Sequence, residues 1–398
     1  MKPIPVILIF DIGKTNKKTL LFDAQYQLVF ENAIQFDEIK DEDGAACEDI
    51  NALTNWVKSS FEILKKDARF EIKAVHYTAY GASFVYLNEA GEVVAPLFNY
   101  LKPFKSSTKE LFEKLHGPVD QICLETASPD LGNLNSGLQI FSIKVAQPHL
   151  FKSIKWALHL PQYLHYIITG ELASDITSIG CHTMLWDFKK NQYHKWVLQE
   201  GLDKILPPIK QNVGLHDSSA ALIPYFSAFE SPFILLSTGT WCISLNPFNN
   251  NVLTQQELQK DALCYLSYHG KPVKAARLFA GKLHEVEVQK LKEASLSADA
   301  YEQAYAHLMQ DIVKQQVQST NLILQGTQIK RIFVDGGFSK NELYMSGLAK
   351  AYPELEIYAA TIAQASAIGA ALSMHDVWIK QPRPNSLLEL KYYSNRLS

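Results

Sequence analysis

Two apolar runs, each closed by a small polar turn and followed at once by a second apolar run, constrain this chain more than any other feature. Val6-Ile7-Leu8-Ile9-Phe10 ends in Asp11-Ile12-Gly13-Lys14-Thr15-Asn16, and Thr19-Leu20-Leu21-Phe22 resumes after the lysines. Phe233-Ile234-Leu235-Leu236 likewise runs into Ser237-Thr238-Gly239-Thr240, and Cys242-Ile243-Ser244-Leu245 follows. Short apolar runs bounded by turn residues read as buried strands. The second copy, more than half the chain away, predicts an internal structural duplication.

The turns carry the chemistry. Gly13-Lys14-Thr15 resembles the end of a P-loop, but Leu8 stands where that motif needs its first glycine and a strand follows instead of a helix. What remains is a hairpin whose backbone N–H groups, with Thr15 and Asn16, can hold a polyphosphate. Asp11 can orient a Mg²⁺ ion through its waters. The competing reading is an ordinary β-turn with Asp11 satisfying its amides. Thr238, Gly239 and Thr240 form the second such turn, and two facing hairpins, one per domain, would clamp a nucleotide. Asp217, in His216-Asp217-Ser218-Ser219-Ala220-Ala221, is a lone carboxylate among small residues, as a hydroxyl-activating base would be. An Asx-turn or helix cap is its alternative. Asp335-Gly336-Gly337-Phe338-Ser339-Lys340-Asn341 closes the strand Ile332-Phe333-Val334, and its paired glycines permit close approach to a flat or anionic ligand. A helix-start loop capped by Ser339 is the plainer account. Jointly these motifs point to ATP-dependent phosphorylation of a small alcohol.

Length and composition set the bounds. At 398 residues the chain calls for two domains. The break falls near residues 224–232, where Pro224, Ser227, Ser231 and Pro232 interrupt the periodicity, giving segments 1–228 and 229–398. A net charge of -3 offers no general attraction to nucleic acid or an anionic membrane. The apolar N-terminal run is too short for a signal peptide, and no run is long enough to span a bilayer. Five scattered cysteines read as reduced thiols in a cytoplasmic protein. The histidines have no cysteine partners at zinc spacing, which argues against a structural metal. Helical periodicity predicts helices over residues 50–66, capped by Asp49 or Asn51, and over 162–168, 285–292, 300–324 and 363–374. Phe84–Leu87 is expected to pair with Val93-Val94 through Asn88-Glu89-Ala90-Gly91, and residues 381–385 read as a connector.

In order and spacing the motifs resemble the FGGY family of carbohydrate kinases, within the sugar kinase–Hsp70–actin superfamily, from Val6 to about Met374. Further matching pieces are Tyr163 to Glu171 with Asp175, Trp241 after the second turn, and Ala363-Gln364-Ala365-Ser366-Ala367-Ile368-Gly369-Ala370-Ala371 on the adenosine side. The resemblance implies an α/β fold of two ribonuclease-H-like domains hinged around a cleft, sugar mainly on the first and ATP mainly on the second, with Mg²⁺ as the accompanying cofactor. It implies Asp217 as general base and Asp11 near the metal. It places Gly13, Lys14, Thr15, Asn16, Thr238, Gly239, Thr240, Gly336, Gly337, Phe338 and Asn341 on the nucleotide. Ala79, Tyr80, Gly81, Asn99, Tyr100, His216 and Asp217 fall on the sugar. The sugar loops lack the family's tryptophan–aspartate pair and arginine, and the span from Thr240 to Asp335 is short. The His216-Asp217 and Gly239-Thr240-Trp241 pieces resemble the rhamnulokinase–fuculokinase branch, which implies a ketose substrate, with a homodimer as the assembly considered. A non-catalytic ATP- or sugar-binding module of the same fold is the alternative.

Overall fold

The computed structural model describes residues 2–361, 364–384 and 387–394, so Ala363 and Asn385, ends of two expected segments, lie outside the described residues. The chain divides into two compact units. The first comprises Met1–Pro224, Tyr265–Lys271 and Gln364–Pro384, and the second Tyr225–Cys264, Pro272–Ala363 and Asn385–Ser398. A single break at 228/229 therefore does not describe the packing: Gln364–Pro384, assigned from sequence to the C-terminal segment, belongs with the first unit.

In the first unit, strands β1 (Ile4–Ile12), β2 (Lys17–Asp23), β3 (Leu28–Ile34), β4 (Phe70–Ala79) and β5 (Leu215–His216) form a sheet in the order β5-β4-β1-β2-β3. The hairpin neighbours β1, β2 and β3 are antiparallel, whereas β4 and β5 run parallel to β1. Val6 to Phe10 are fully buried because both faces of β1 are covered. Val6, Leu8, Phe10 and Ile12 pack with Leu53 and Val57 of helix α1 (Ile50–Lys65) and Leu164 of helix α2 (Leu160–Thr169). Asp49 caps α1 by accepting from the N–H groups of Asn51 and Ala52, and left-handed Gly170 ends α2. Strand alternation turns Ile7, Ile9 and Asp11 to the other face, where helix α3 (Asp217–Ala221) lies. Phe84–Leu87 departs from expectation. Its ladder partner is Trp156–His159, and only a single bridge joins Leu87 to Val93, because the turn at Asn88–Gly91 leads directly into irregular chain.

The second unit repeats the pattern. Strands β6 (Phe233–Thr238), β7 (Cys242–Asn246), β8 (Ala262–Leu266), β9 (Pro272–Leu278), β10 (Arg331–Gly336), β11 (Glu356–Thr361) and β12 (Glu389–Tyr393) run in the order β8-β9-β7-β6-β10-β11-β12. Within it β9-β7-β6-β10-β11 reproduces the order and the strand directions of β3-β2-β1-β4-β5. The duplication foreseen from the two strand–turn–strand units is thus a duplication of topology. Helices α4 (Ala280–Glu293), α5 (Ala298–Leu324) and α6 (Glu342–Ala351) accompany this sheet, and Ile312, Ile323 and Leu348 pack onto Ile234, Leu236 and Val334.

Helix α7 (Ala365–Ser373) packs against β1 and α3 in the first unit. Its small residues permit this: a Cβ at Gly369 would lie 1.9 Å from the carbonyl oxygen of Ala220 in α3. Gly369→Val is expected to destabilise the protein by about 3 kcal/mol, since backbone cannot yield as a side chain does. Denaturant unfolding checks this: an unchanged midpoint would mean that the helices separate freely.

Candidate active site

The acidic end of β1 and the start of α3 meet on the α7 face. Asp11 Oδ2 accepts from the Ser366 hydroxyl at 3.0 Å. Burial pushes the Asp11 carboxyl up to about 6, the Asp217 charge pushes the same way, and Ser366 and Lys18 oppose them. A buried carboxylate whose ionisation is opposed by burial and by a neighbouring carboxylate's charge fits a divalent cation of oxygen-ligand type, so the donor set suits Mg²⁺.

Asp217 opens α3 with its side chain 37% exposed, and its Oδ1 lies 3.2 Å from His216 Nε2. The same oxygen accepts from the Ser218 backbone N–H at 2.6 Å. His216 is buried at the end of β5, in register with Ala79 of β4, and burial lowers its pKa while the Asp217 charge opposes that shift. Gly81 sits against it: a Cβ there would lie 3.0 Å from the His216 ring. The loop is anchored from behind. His216 N–H donates to Thr177 Oγ1 at 2.9 Å, and the Thr177 hydroxyl and N–H both donate to the buried Asp175 carboxylate. Burial raises Asp175 to about 6, against the hydrogen bonds that favour its charge.

Because that carboxyl keeps its proton to a higher pH folded than unfolded, its contribution to stability is full below about pH 4. It is lost as the pH rises to about 6. Unfolding of the parent and of Asp175→Asn should therefore diverge by about 3 kcal/mol across that window. A difference that does not vary with pH would show that Asp175 titrates normally.

Around Asp217 the sugar-side expectations separate. Tyr100 is raised by burial first, then by the charges of Asp217, Glu48 and Glu38, so its phenol shares their electrostatic neighbourhood. Its ring lies 6.0 Å from that of buried Tyr80, and Lys14 Nζ stands 5.9 Å above it. Ala79 is buried and presents no polar group. Asn99 Oδ1 closes a turn onto the Leu101 N–H, and the residue lines a cavity of about 70 Å³ with Phe98, Phe104 and Gln139.

The first turn, Gly13 to Asn16, is closed by the Gly13 N–H donating to the Asn16 carbonyl at 2.9 Å. Thr15 and Asn16 are exposed, and Asn16 Oδ1 accepts from Gln35. Lys14 is engaged with Glu38 at 3.2 Å and Glu48 at 3.6 Å. Buried Lys17 bonds Glu48 at 3.0 Å and the Lys14 carbonyl at 2.8 Å. Glu48 was not singled out from sequence, and the Lys17-Lys18 pair, which reads as solvated surface, has its first member buried. Glu48 lies 31 residues from Lys17, with no motif to join them.

In the second unit Thr238 is buried and stitches two turns together, donating to the Asp335 carbonyl and accepting the Phe338 N–H at 3.0 Å. Gly336 has φ +86°, and a Cβ there would lie 1.9 Å from the Thr238 carbonyl oxygen. At Gly337 a Cβ would meet nothing within 4 Å. The space beyond is a cleft of about 320 Å³ reached by Gly239, Thr240, Gly337, Phe338 and Asn341, a size that suits a small ligand. Asn341 also caps α6 through the Tyr344 N–H and donates to the Tyr305 hydroxyl. Gly281, His284 and Glu285 of α4 line the same cleft. A Cβ at Gly281 would come 1.9 Å from the Gly239 carbonyl oxygen, a close approach without a sequence signature.

Residues 6–212 match the N-terminal domain of the FGGY family of carbohydrate kinases, and residues 230–327 match the FGGY C-terminal domain. The chain belongs to the FGGY family. Among curated FGGY relatives, a rhamnulokinase of Halalkalibacterium halodurans is 24% identical over 257 residues, covering 58% of this chain and 52% of its own length. A rhamnulokinase of Yersinia pestis is 23% identical over 276 residues, covering 63% of this chain and 55% of its own. The chain thus spans about half the length of the curated relatives it matches. The fold is that of a carbohydrate kinase from Novosphingobium aromaticivorans, with TM-score 0.82, 20% identity and coverage of 98% of this chain and 94% of that one. A ligand-bound xylulose kinase from Lactobacillus acidophilus gives TM-score 0.82 at 15% identity, covering 99% and 94%. As an FGGY chain it has the two-domain α/β fold of the actin/Hsp70-like class. Among the described residues no helix is long and apolar enough to cross a membrane.

Proposed function

We propose that the chain is an ATP-dependent sugar kinase that phosphorylates a primary hydroxyl of a ketose, with a rhamnulose- or fuculose-like deoxyketose ahead of xylulose or ribulose. The observation that carries the reading is Asp217: a partly exposed carboxylate beside buried His216, close enough to Asp11 to raise its pKa. Asp217 accepts the hydroxyl proton as the sugar oxygen attacks the γ-phosphoryl group in line. The His216 ring and the Ser218 N–H hold the carboxylate in place for that transfer. Mg²⁺ supplies neutralisation of the charge on the transferred group when bound, and Asp11 is the residue that would orient its waters. Glycine-lined backbone at Gly239 and Gly337 gives the nucleotide close approach in the second unit.

The deoxyketose preference rests on Tyr80 and Tyr100. Aromatic faces suit the C–H side of a sugar and a terminal methyl group, and the rhamnulokinase relatives support the same branch. A buried hydroxyl left unpaired costs roughly 1–3 kcal/mol. ADP release measured with L-rhamnulose, L-fuculose, D-xylulose and D-ribulose should therefore show about 5- to 150-fold higher kcat/KM for the deoxyketoses. A preference for xylulose overturns the branch, and no ADP release with any sugar across ketoses, polyols and aldoses overturns the kinase reading.

A further inference from the structure

Directly beneath Asp217 the fold gathers Cys181, His182 and His216, all buried, with one ligand atom from each lying within 4.8 Å of the others. Cys181 and His182 are adjacent in sequence and His216 comes 35 residues after the cysteine, so no zinc-type spacing betrays the set. We infer that Cys181, His182 and His216 form an inhibitory site for a thiophilic divalent cation, Zn²⁺ foremost, with the fourth coordination position facing Asp217.

Donor chemistry comes first. One thiolate and two imidazoles are a borderline-soft set that takes Zn²⁺ and rejects the hard cations Mg²⁺ and Ca²⁺. A tetrahedral zinc ion holds such donors roughly 3.3–3.6 Å apart. Here Cys181 Sγ lies 3.0 Å from His216 Nε2, so the ion enters by small side-chain adjustments.

Orientation adds an independent argument. His182 Nδ1 is 3.0 Å from the Leu134 carbonyl oxygen. A carbonyl accepts only from N–H, so Nδ1 carries the proton and Nε2 presents its lone pair. Histidines that bind metals are held in this way, with the remote nitrogen on a carbonyl or carboxylate. At His216 the thiol sulfur at 3.0 Å and Asp217 Oδ1 at 3.2 Å converge on the same nitrogen. A Cys–His–Asp relay would use both ring nitrogens, whereas His216 Nδ1 is buried without a partner among the described residues. The arrangement is that of donors pointing at one place. Gly81 keeps the spot open, since a Cβ there would come 3.1 Å from Cys181 Sγ. The ion enters past Asp217, whose side chain is partly exposed, and binding releases the cysteine proton to solvent.

Zinc at this position engages His216 and neutralises Asp217, which stops the base from accepting a proton. That inhibition rests on the kinase reading; the metal site does not. The test uses the full chain, stripped with chelator and titrated with Zn²⁺ against a chromophoric competitor, and separately with Co²⁺. One zinc per chain and a thiolate-to-cobalt charge-transfer band are expected. Cys181→Ser and His182→Gln should each weaken zinc by on the order of 100-fold, with circular dichroism confirming that at least one of them folds. Stoichiometric zinc without the cobalt–thiolate band, or unchanged affinity in a folded variant, overturns the site. With the site present, zinc should suppress sugar phosphorylation and chelator should restore it. Zinc bound as described with full activity overturns the inhibition alone, and absence of any phosphorylation overturns the kinase reading while leaving the metal result standing.

Discussion

Asp217→Asn is expected to lower turnover at least about 100-fold while leaving the KM for ATP close to that of the parent. Asparagine keeps the size of the side chain and can still accept from the Ser218 N–H. It cannot accept a proton from a hydroxyl. The loss therefore falls on kcat and on kcat/KM for sugar together, the pattern of an interaction made only in the transition state. Folding is not at issue, because the side chain is partly exposed and its buried neighbour His216 is anchored by Thr177 through the backbone. An amide at position 217 also removes the repulsion that helps raise Asp11, so the Asp11 carboxyl should ionise more readily in the variant. Steady-state kinetics with the sugar that releases ADP fastest is the decisive measurement. Turnover within a few-fold of the parent would remove Asp217 from the chemistry and leave it as the first residue of a short helix.

What the sequence made legible follows the range over which each signal acts. The two strand–turn–strand units were visible because buried strands write themselves as contiguous apolar runs, and the matching strand order of the two sheets is their three-dimensional form. Helix starts were visible where a side chain does the capping, as at Asp49, and helix ends where glycine turns left-handed, as at Gly170. The family motifs led to Asp11, His216 and Asp217, which the fold gathers in its first unit. Interactions between residues distant in sequence left no trace. Glu48 between Lys14 and Lys17, Ser366 on Asp11, and the Asp175–Thr177–His216 anchor all depend on which segments the topology brings together. Lys14, expected from its turn to meet phosphate, has its ammonium beside Glu38 and Glu48, two glutamates that sequence proximity does not connect to it. Asn99, expected from the family's sugar loops, has its Oδ1 accepting from the Leu101 N–H, a local turn bond that the residue type favours but that no motif announces.

The paired glycines that close β10 should behave oppositely on substitution, and this separates a folding role from a binding role within two adjacent residues. Gly336 holds a positive φ and its Cβ position is occupied by the Thr238 carbonyl, so Gly336→Val is expected to destabilise the second unit. Gly337 has neither constraint, and a side chain there projects into open space at the cleft shared with Gly239, Thr240 and Phe338. Gly337→Val should thus fold as well as the parent while placing an isopropyl group where backbone would approach the nucleotide. Relieving such an overlap costs about 1–3 kcal/mol, which corresponds to roughly a 5- to 150-fold higher KM for ATP. The KM for sugar should move little, because Tyr80, Tyr100 and His216, the residues proposed for the sugar, belong to the other unit. Thermal unfolding of both variants, with KM for each substrate in Gly337→Val, tests the whole argument. If Gly337→Val raises the sugar KM instead, or leaves the ATP KM unchanged while folding normally, the cleft at Gly337 is not where the nucleotide binds.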